Sequence, residues 1–569
     1  MKPTVVVLGS GPIRIGQGIE FDYSCVHCVW ALQQSGYRAV IVNNNPETVS
    51  TDFDTGDGLY FEPVTLPDVL RIVAHEQALG VVVQFGGQTA INLAEGLAAH
   101  GVNVLGTPPS AIATAEDRDL FERLLDKLQI PKPPGRAVKS YQEAVQVAHE
   151  IGYPVLVRPS FVLGGRAMDI VYDETHLEGL YREADDANPG QPVLVDKYFL
   201  GTEAEVDVVS DGTDTLVPGI MEHIERAGIH SGDSMAVYPP VSIDKELQLR
   251  MVDIACKTAK ELGVKGVMNI QFVIQDGEVF VLEVNPRASR TVPYLSKVTG
   301  VPMVQLATRT MMGERLADMG YSSGLWCAEE SAKSREHWSQ PDYDKARPAI
   351  AGQVLGAEEY RRGDARQSNL FAVKAPVFSF QKLARVEPSL GPEMKSTGEV
   401  LGIDLTFEAA LYKALVASGV VFRKKGQVIL TVADADKSKA VEIALTFAKK
   451  GYSLAATGGT HDLIAAAGVK AERLNKIKQG SPNILERLFQ GEVSLMVNTP
   501  GPAHTASEDA ARIRRACIET GVACVTSIDT AEALAKALDV FENPALSQCR
   551  TVTEYLESAA TMNLEPASV

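Results

Sequence analysis

The chain has 569 residues, of which 45% are hydrophobic and 22% are charged, so it is long enough for roughly three or four globular domains. Its formal net charge of -18 argues against general affinity for nucleic acid or for anionic membranes. The seven cysteines are scattered and suit a reducing compartment, and no stretch has the character of a signal peptide or a membrane span, so we expect a cytoplasmic protein.

Residues 1–113 alternate short, continuously apolar runs with helical segments. The runs predicted as strands lie at 4–8, 39–42, 80–84 and 102–105. Continuous apolar runs are typical of parallel strands covered on both faces, so this segment is predicted to be an open α/β domain. The sequence Gly86-Gly87-Gln88-Thr89 follows the third run and opens a helix, where backbone N–H groups can bind an anion.

The first strand is followed by the glycine-rich turn GSGPIRIGQGIEFDY, residues 9–23. A dinucleotide-binding turn needs the pattern G-x-G-x-x-G and an acidic residue about 20 positions later. Here the glycines give G-x-G-x-x-x-x-G, and the second strand ends in asparagines instead of an acid. We therefore interpret the turn as an anion cradle at a helix N-terminus, with a plain strand-to-helix turn as the alternative.

The middle of the chain begins with a helix predicted at 111–128, followed by a proline cluster that marks a hinge. Between 136 and 290, longer strands joined by hairpin turns favour an antiparallel α+β domain. Residues 300–415 have helical and irregular patterns. Within them, 326–370 is polar and poor in valine and isoleucine, so we interpret it as a long surface insertion. The α/β alternation returns from 418, with strands predicted at 427–432, 452–456 and 493–497.

Residues 267–290 contain two apolar strands around Asp276-Gly277, which predicts a hairpin. Alternation places on one face of the second strand the polar residues Glu283, Asn285 and Arg287. It places on the other face Phe280, Leu282 and Val284. A three-residue loop would bring Gln271 opposite Glu283 on the polar face, whereas a two-residue loop would put these two on opposite faces. The first register gathers one carboxylate and two amides, ligands that Mg²⁺ prefers, and a solvated hairpin face is the alternative.

Two further segments have phosphate-binding character. In RPSFVLGGRAMDIV, Arg158 ends a strand and the pair Gly164-Gly165 allows close backbone approach to a phosphate, although an ordinary hairpin is the alternative. Arg118 opens a helix that can face the same pocket. In AGIHSGDS, residues 227–234, a turn-rich loop can contact a purine or phosphate through its backbone or through His230, although a single histidine is more often structural.

Several blocks together closely resemble the large subunit of carbamoyl-phosphate synthase, and more specifically its C-terminal, carbamoyl-phosphate-forming half. They are GSGPIRIGQGIEFDY, NNNPETVSTDFD, QFGGQTAINLA, AEDRDLF, RPSFVLGGRAMDIVYDE, IHSGDSMAVYPP, NIQFVI, EVNPRASRTVPYLSKVTG and LGPEMKSTGEV. The resemblance implies a pre-ATP-grasp (Rossmann-like) domain at 1–113, an ATP-grasp domain at 114–315, a helical or irregular connection at 316–415, and a methylglyoxal-synthase-like α/β domain at 416–569.

The resemblance also implies a role for each candidate residue. It places Arg118 and Arg158 at the phosphates of ATP, under the loop Gly164–Gly165. The nucleotide contacts that it implies are Lys197, Phe199, Glu205, Gly228, Ile229, His230 and Ser231. It assigns Mg²⁺ or Mn²⁺ to Gln271, Glu283 and Asn285. It assigns the carbamate and the transferring phosphoryl group to Arg287 and Arg290.

The implied reaction is attack of carbamate on the γ-phosphorus of ATP, which gives carbamoyl phosphate for arginine and pyrimidine biosynthesis. In the last domain, Thr457-Gly458-Gly459-Thr460 follows a strand and opens a helix, a position that can bind an anion or can be a simple N-cap turn. The positions that match the family's site for a nucleotide monophosphate such as UMP or IMP are Lys437, Thr457, Thr460, Lys476, Asn498 and Thr499.

The chain also departs from the family pattern. It has one of the two homologous halves and no glutaminase, so we expect a glutaminase small subunit and an N-terminal half as separate chains, or a homodimer. Ala375 stands where some members have a glutamate that helps to bind ornithine, so we expect no activation by ornithine, although Glu225 and Asp233 remain. Two alternatives are another ATP-grasp carboxylate ligase and a non-catalytic, nucleotide-responsive regulatory subunit.

Overall fold

The computed structural model describes residues 2–159, 167–328, 352–362, 367–382, 386–421, 425–501 and 508–561. The predicted phosphate loop Gly164–Gly165 and much of the predicted insertion at 326–370 lie outside these residues. Within them the chain forms four sheets.

The first sheet is parallel, in the order β3-β2-β1-β4-β5, and confirms the predicted open α/β segment. Its strands are β1 Thr4–Leu8, β2 Arg38–Val42, β3 Gly58–Tyr60, β4 Gly80–Val82 and β5 Val104–Leu105, and sequence analysis missed β3. The helices are α1 Glu20–Gln34, α2 Leu66–Glu76, α3 Gly87–Ile91, α4 Ala94–Ala99 and α5 Pro109–Glu116. The strand order reverses between β1 and β4, so a crevice opens at their carboxyl ends.

The helix predicted at 111–128 is two helices, α5 and α6 (Arg118–Leu128). The break falls at Asp117, whose extended backbone ends α5 and whose side chain accepts a hydrogen bond from the N–H of Leu120. This N-cap determines where α6 begins, and Arg118 is its first residue.

The second sheet has the order β6-β9-β7-β8 and is antiparallel. Its strands are β6 Gly135–Val138, β7 Val155–Pro159, β8 Asp169–Val171 and β9 Val193–Lys197, and its helices are α7 Tyr141–Ile151 and α8 Glu174–Ala187. The sheet and its two helices enclose a separate apolar core, so they form a lobe of their own.

The third sheet has ten strands. They are β10 Thr202–Asp211, β11 Thr215–Val217, β12 Ile220–Arg226, β13 Ala236–Tyr238, β14 Lys265–Gln275, β15 Glu278–Asn285, β16 Gly324–Ala328, β17 Gly352–Leu355, β18 Phe371–Val377 and β19 Gly398–Asp404. One face packs against α9 (Lys245–Leu262). The other face packs, at one end, against α10 (Thr291–Thr299), α11 (Met303–Met311) and α1.

The third sheet corrects the expectation for the region 316–415. This region is not a helical or irregular connection, because β16 to β19 join the sheet by regular ladders. At the first end of the predicted surface insertion, Trp326 on β16 is buried at 3% exposure, which the polar composition of the segment concealed. Residues 352–361 are mostly half-buried or exposed, as expected of a surface segment, although Tyr360, on α12 (Ala357–Arg362), is 3% exposed.

The fourth sheet is parallel, in the order β22-β21-β20-β23-β24, as the alternation from 418 predicted. Its strands are β20 Gln427–Thr431, β21 Ser453–Thr457, β22 Glu472–Leu474, β23 Val493–Asn498 and β24 Ala523–Val525. The helices are α13 Phe407–Ala417, α14 Lys437–Lys449, α15 Gly458–Ala466, α16 Ile484–Gln490, α17 Glu508–Thr520, α18 Ile528–Lys536, α19 Leu538–Glu542 and α20 Val552–Thr561. Among the described helices, none is long and apolar enough to cross a membrane.

The domain built on the fourth sheet packs against the ten-stranded sheet near the edge formed by β18 and β19. Its core is continuous with apolar residues of β13 and β18. At the boundary, the guanidinium group of Arg226 donates to Asp529 through Nε at 2.8 Å and Nη2 at 3.0 Å, and Lys439 donates to the same carboxylate at 2.9 Å. The two domains are therefore joined by a shared core and a half-buried ion pair.

Candidate active site

One face of the ten-stranded sheet carries the predicted polar residues in regular rows. Across β10, β14 and β15 the registers pair Glu205 with Gln271 and Gln271 with Glu283. The next row is Asp207, Asn269 and Asn285. The residues between these rows point into the core against α9. The predicted metal ligands therefore share one face.

Neither of the two hairpin loops considered from the sequence predicts how this register arises. The hairpin loop has two residues, because Gln275 pairs with Glu278 around Asp276-Gly277. Both loop residues have positive φ, 53° and 77°, as a tight hairpin requires. A β-bulge then makes Leu282 an extra residue between the Phe272–Val281 and Gln271–Glu283 pairs. The bulge, not a longer loop, brings Glu283 opposite Gln271.

The two-residue loop also reverses one predicted orientation. Phe280 was expected on the opposite face from Glu283, and Val284 does point into the core. Counted from the two-residue loop, before the bulge is reached, Phe280 instead pairs with Val273 on the site face. There its ring lies 4.8 Å, centroid to centroid, from that of Phe199. The two rings form an apolar wall beside the polar rows.

The three predicted metal ligands lie together, but their amides are engaged. Asn285 donates its amide N–H to Glu283 Oε1 at 2.9 Å and accepts from Arg287 at 3.3 Å through its oxygen. Gln271 donates to the hydroxyl of Ser231 at 3.2 Å. For Asn285 to offer its oxygen to a cation, its amide must rotate about χ2 and release Arg287. No described group of three or more His, Cys, Asp or Glu side chains is placed to hold a metal.

The two predicted arginines lie on the loop 286–290, here called the arginine loop, between β15 and α10. Arg287 donates through Nε to the side-chain oxygen of Gln88 at 3.3 Å, and Arg290 donates through Nε to Glu20 at 3.1 Å. The loop is therefore held against the carboxyl edge of the first sheet. Sequence analysis missed Glu20 and Gln88, although both stand in the glycine-rich segments that it singled out.

The predicted nucleotide loop, residues 227–234, lies over the same face. Gly228, with φ of 99°, donates its N–H to Glu203 at 3.3 Å, and a side chain at this position would collide with Tyr198. Burial lowers the pKa of His230, so the imidazole is neutral at pH 7. Its Nδ1 accepts from the N–H of Gly232 at 3.0 Å. The loop thus presents backbone groups and a neutral imidazole.

Glu205, the predicted ribose contact, is buried at 4% exposure. Its neighbour is His223, whose Nε2 lies 3.6 Å from Glu205 Oε1 and whose Nδ1 lies 3.2 Å from Glu203. Burial alone would lower the pKa of His223, but the two carboxylates outweigh it and raise this pKa to about 9. The imidazole is therefore a buried cation between two carboxylates, an arrangement that sequence analysis missed.

Arg118, the first residue of α6, and Arg158, on β7 of the second lobe, converge as predicted, but on a carboxylate. Arg118 makes a two-pronged contact with Asp196, at 3.0 and 2.6 Å, and Arg158 Nε lies 3.5 Å from the same group. Burial opposes the charge on Arg118, but Asp196 and Glu122 raise its pKa above the usual value. Asp196 therefore holds both guanidinium groups in one place.

Lys197 is the last residue of β9, where the second lobe joins the third sheet. Its ammonium donates to the carbonyl oxygens of Gly152 and Tyr153 at 2.9 and 3.0 Å. Burial lowers its pKa. Phe199 follows two residues later, so the predicted adenine contacts lie at the hinge between the two lobes.

The predicted effector residues lie at the carboxyl edge of the fourth sheet. Thr457 donates its hydroxyl to Thr431 at 2.9 Å, and Thr499 accepts from the N–H of Ala433 at 2.8 Å. Lys437 contacts Asp434 at 2.5 Å and would meet any side chain at Gly459. The remaining predicted residues on this edge are Thr460, which is 3% exposed, Lys476 and Asn498.

A linker, residues 386–396, runs from this edge to the nucleotide loop. The fully buried Arg514 donates to Asn498 at 2.7 Å and to Glu387, at the start of the linker, at 2.5 Å. Further along, Gly391 accepts from the N–H of His230 at 2.8 Å. The linker therefore contacts both the candidate effector site and the candidate nucleotide site.

Three family models match the chain. Residues 1–114 match the carbamoyl phosphate synthase preATP-grasp domain, residues 117–319 match the carbamoyl-phosphate synthase L chain ATP binding domain, and residues 439–526 match the MGS-like domain. The first matched segment contains the first sheet. The second contains the second sheet and most strands of the third, and the last contains most strands of the fourth.

Solved structures show the same fold over 73% of the chain. One is the biotin carboxylase domain dimer of 2-oxoglutarate carboxylase from Hydrogenobacter thermophilus, in complex with MgADP, ADP and bicarbonate, with a TM-score of 0.53 at 19% identity over 73% of this chain and 90% of that one. Another is biotin carboxylase from Campylobacter jejuni in complex with β-γ-ATP, with a TM-score of 0.51 at 14% identity over 73% of this chain and 91% of that one.

Inserting an alanine directly after Leu282 tests the role of the register. The bulge already accommodates one extra residue, so a second would move the rest of β15 by one position, and Glu283 and Asn285 would turn toward the core. We expect the variant to lose Mn²⁺-dependent binding of ADP, measured by isothermal titration calorimetry, because the oxygen donors leave the face. Exchanging Leu282 for alanine keeps the residue count and is the matched control, with binding within about threefold of wild type. Unchanged binding in the folded insertion variant would show that the register is unimportant.

Proposed function

Because the chain has the domain architecture of the C-terminal half of the carbamoyl-phosphate synthase large chain, we propose that it phosphorylates carbamate with ATP to form carbamoyl phosphate. The observation that supports this most is the convergence of Gln271, Glu283 and Asn285 with the arginine loop on one face. Oxygen donors and guanidinium groups side by side are what an ATP phosphoryl transfer needs.

In the proposed reaction a carbamate oxygen attacks the γ-phosphorus of ATP. A new P–O bond forms as the bond from the γ-phosphorus to the β,γ-bridging oxygen breaks, and ADP leaves with the negative charge. The protein has little covalent chemistry to do, so its contribution is positioning, charge neutralisation and exclusion of water. Exclusion of water matters because carbamate decomposes in water.

The proposed roles follow the position of each group. Arg287 and Arg290 stand where the ten-stranded sheet meets the carboxyl edge of the first sheet, so they would hold carbamate and the transferring phosphoryl group. Arg118 and Arg158 would exchange part of their contact with Asp196 for phosphate oxygens. Such an exchange costs little because the charge is already neutralised and the guanidinium groups are already placed.

The nucleotide would lie between the second lobe and the polar rows. Phe199 and Phe280 offer an apolar wall for the adenine, and Glu205, in the same row as Gln271 and Glu283, would accept from a ribose hydroxyl. The loop 227–234 would close over the nucleotide from the other side. These contacts bind and orient ATP.

The donor set fits a hard divalent cation such as Mg²⁺, with Mn²⁺ as a substitute. Glu283 supplies a carboxylate, and Gln271 and Asn285 supply amide oxygens once Asn285 rotates. When bound, the ion would neutralise the charge of the phosphates. The Hydrogenobacter structure holds MgADP, ADP and bicarbonate, ligands similar in kind to those proposed here.

We also propose that the chain works with a glutaminase subunit and an N-terminal half on separate chains, in the cytoplasm, and serves arginine and pyrimidine biosynthesis. A self-associated half is the alternative assembly. A non-catalytic regulatory role is less consistent with the site, because the candidate ligands and both arginines of the arginine loop are present, and Asn285 bonds both Glu283 and Arg287. If the chain is instead another carboxylate ligase of this fold, it would phosphorylate a different carboxylic acid.

Replacing Glu283 with glutamine tests the proposed reaction in its reverse direction. We expect the purified wild-type chain to form ATP from ADP and carbamoyl phosphate, and the variant to lose about 100-fold or more in kcat, because the only carboxylate of the donor set is gone. ATP is measured with a coupled luciferase assay. Glu278→Gln, at the exposed end of the same strand, is the matched control and should keep the wild-type rate.

Two outcomes would count against this proposal. A wild-type chain that binds ADP but forms no ATP from carbamoyl phosphate, while forming ATP from another acyl phosphate, would indicate a different carboxylate substrate. A Glu283→Gln variant with wild-type kcat would remove the candidate metal ligand from the reaction.

A second prediction concerns the effector. We expect UMP or IMP to bind at the carboxyl edge of the fourth sheet, and Lys476→Ala to weaken this binding about tenfold, because a phosphate would lose one charged donor. Isothermal titration calorimetry measures the affinity, and Lys470→Ala, at an exposed position, is the control. Equal affinity of wild type and Lys476→Ala for both nucleotides would place the effector elsewhere.

We expect ornithine not to activate the enzyme. Ala375 is buried on β18 and offers no carboxylate. The two acids that remain are already engaged, since Glu225 accepts from Met235 and Thr530, and Asp233 accepts from the N–H groups of the linker. Burial raises the pKa of Glu225 to about 7, which further weakens it as a partner for an amine. A rise in the rate of ATP formation during an ornithine titration would contradict this expectation.

A further inference from the structure

Asp207 lies beneath the candidate active site and has no role in the proposed reaction so far. It stands on β10 with 0% exposure, in the same row as Asn269 and Asn285. Burial, followed by the nearby charge of Glu205, raises the pKa of Asp207 to about 7. A carboxyl group in such a place is costly unless several donors satisfy it.

The donors that satisfy Asp207 come from the arginine loop and the helix that follows it. Ser289 donates its hydroxyl to Oδ1 at 2.7 Å, and Thr291 donates its hydroxyl to Oδ2. The N–H of Thr291 then donates to the hydroxyl of Ser289 at 3.0 Å. Asn269 donates to Oδ1 at 3.1 Å from the neighbouring strand. Asp207 therefore connects the sheet to both sides of Arg290.

We propose that Asp207 is a positioning residue, which holds the arginine loop at a fixed height above the metal-ligand face. This inference rests on the proposed function. The two carboxyl oxygens bind one hydroxyl each, so they fix Ser289 and Thr291 separately, which an amide with a single acceptor oxygen cannot do. Arg287 and Arg290 do not contact Asp207, and their position depends on the loop that it holds.

The arginine loop also has contacts that do not involve Asp207. The N–H of Ala288 donates to the carbonyl oxygen of Gln84 at 2.9 Å, and Arg290 donates to Glu20. These contacts come from the first sheet and hold the loop from the side. Asp207 is the contact that fixes it to the strand next to the candidate ligands. Because misplacement of a reacting group by about 1 Å costs about 100-fold in rate, this contact matters for catalysis.

The test compares Asp207→Asn with Glu222→Gln. Glu222 is also a buried carboxylate of the same sheet, at 4% exposure, but it accepts from the N–H groups of Val241 and Ser242, away from the arginine loop. In the conversion of ADP and carbamoyl phosphate to ATP, we expect Asp207→Asn to lower kcat/KM for carbamoyl phosphate about 10- to 100-fold. KM for ADP should stay within about twofold, and Glu222→Gln should show neither effect.

Hydrogen–deuterium exchange gives a second readout that does not depend on activity. Amides of residues 286–291 should exchange faster in Asp207→Asn than in wild type and in Glu222→Gln. Wild-type exchange and wild-type kcat/KM in Asp207→Asn would overturn the proposal, as would an equal loss in Glu222→Gln. A wild-type chain that forms no ATP would refute the proposed function, while the exchange comparison would still decide the role of Asp207.

If Asp207→Asn does not fold, the double variant Ser289→Ala/Thr291→Val takes its place. It keeps the carboxyl group and removes the two hydroxyl donors on the loop side. The same loss in kcat/KM for carbamoyl phosphate, with KM for ADP unchanged, would support the proposal. Wild-type kinetics in this variant would overturn it.

Discussion

The account depends on the register of one hairpin. A two-residue turn between β14 and β15 alone would place Gln271 and Glu283 on opposite faces of the sheet. The extra residue at Leu282 restores the alignment, so a carboxylate and two amides lie on the face toward which the arginine loop, the nucleotide loop and the second lobe converge. The two-residue turn places Phe280 beside Phe199, so the turn and the bulge together provide the apolar and the polar walls of the site.

Much of the fold and of the candidate site could be predicted from the sequence. Continuous apolar runs indicated both parallel sheets, since burial on two faces leaves that pattern. Local patterns did not predict the bulge, because a tight turn and a bulge together give the same pairing as a three-residue loop. They also did not predict β16 to β19, since short strands beside a polar segment leave no clear alternation. His223, Asp196 and Asp207 were missed because their roles arise from partners far away in sequence.

The site is assembled from parts of three domains, and the contacts between them are polar and specific. The first sheet holds the arginine loop through Glu20 and Gln88, and the linker 386–396 contacts the nucleotide loop at His230. The other end of the linker meets Arg514, beside a candidate effector residue. Arg514 and the linker therefore connect the carboxyl edge of the fourth sheet to the candidate nucleotide loop through hydrogen bonds.

The most direct test of the central claim is a crystal structure of the chain with ADP and Mn²⁺, with the ion located by its anomalous scattering. The account predicts a Mn²⁺ ion bound by the carboxylate of Glu283 and the amide oxygen of Gln271, at about 2.1 Å, and also in contact with the phosphates of ADP. It also predicts that the amide of Asn285 is rotated toward the ion. Bound ADP with no ion at Glu283, or with Gln271 and Glu283 on opposite faces of the sheet, would contradict the account.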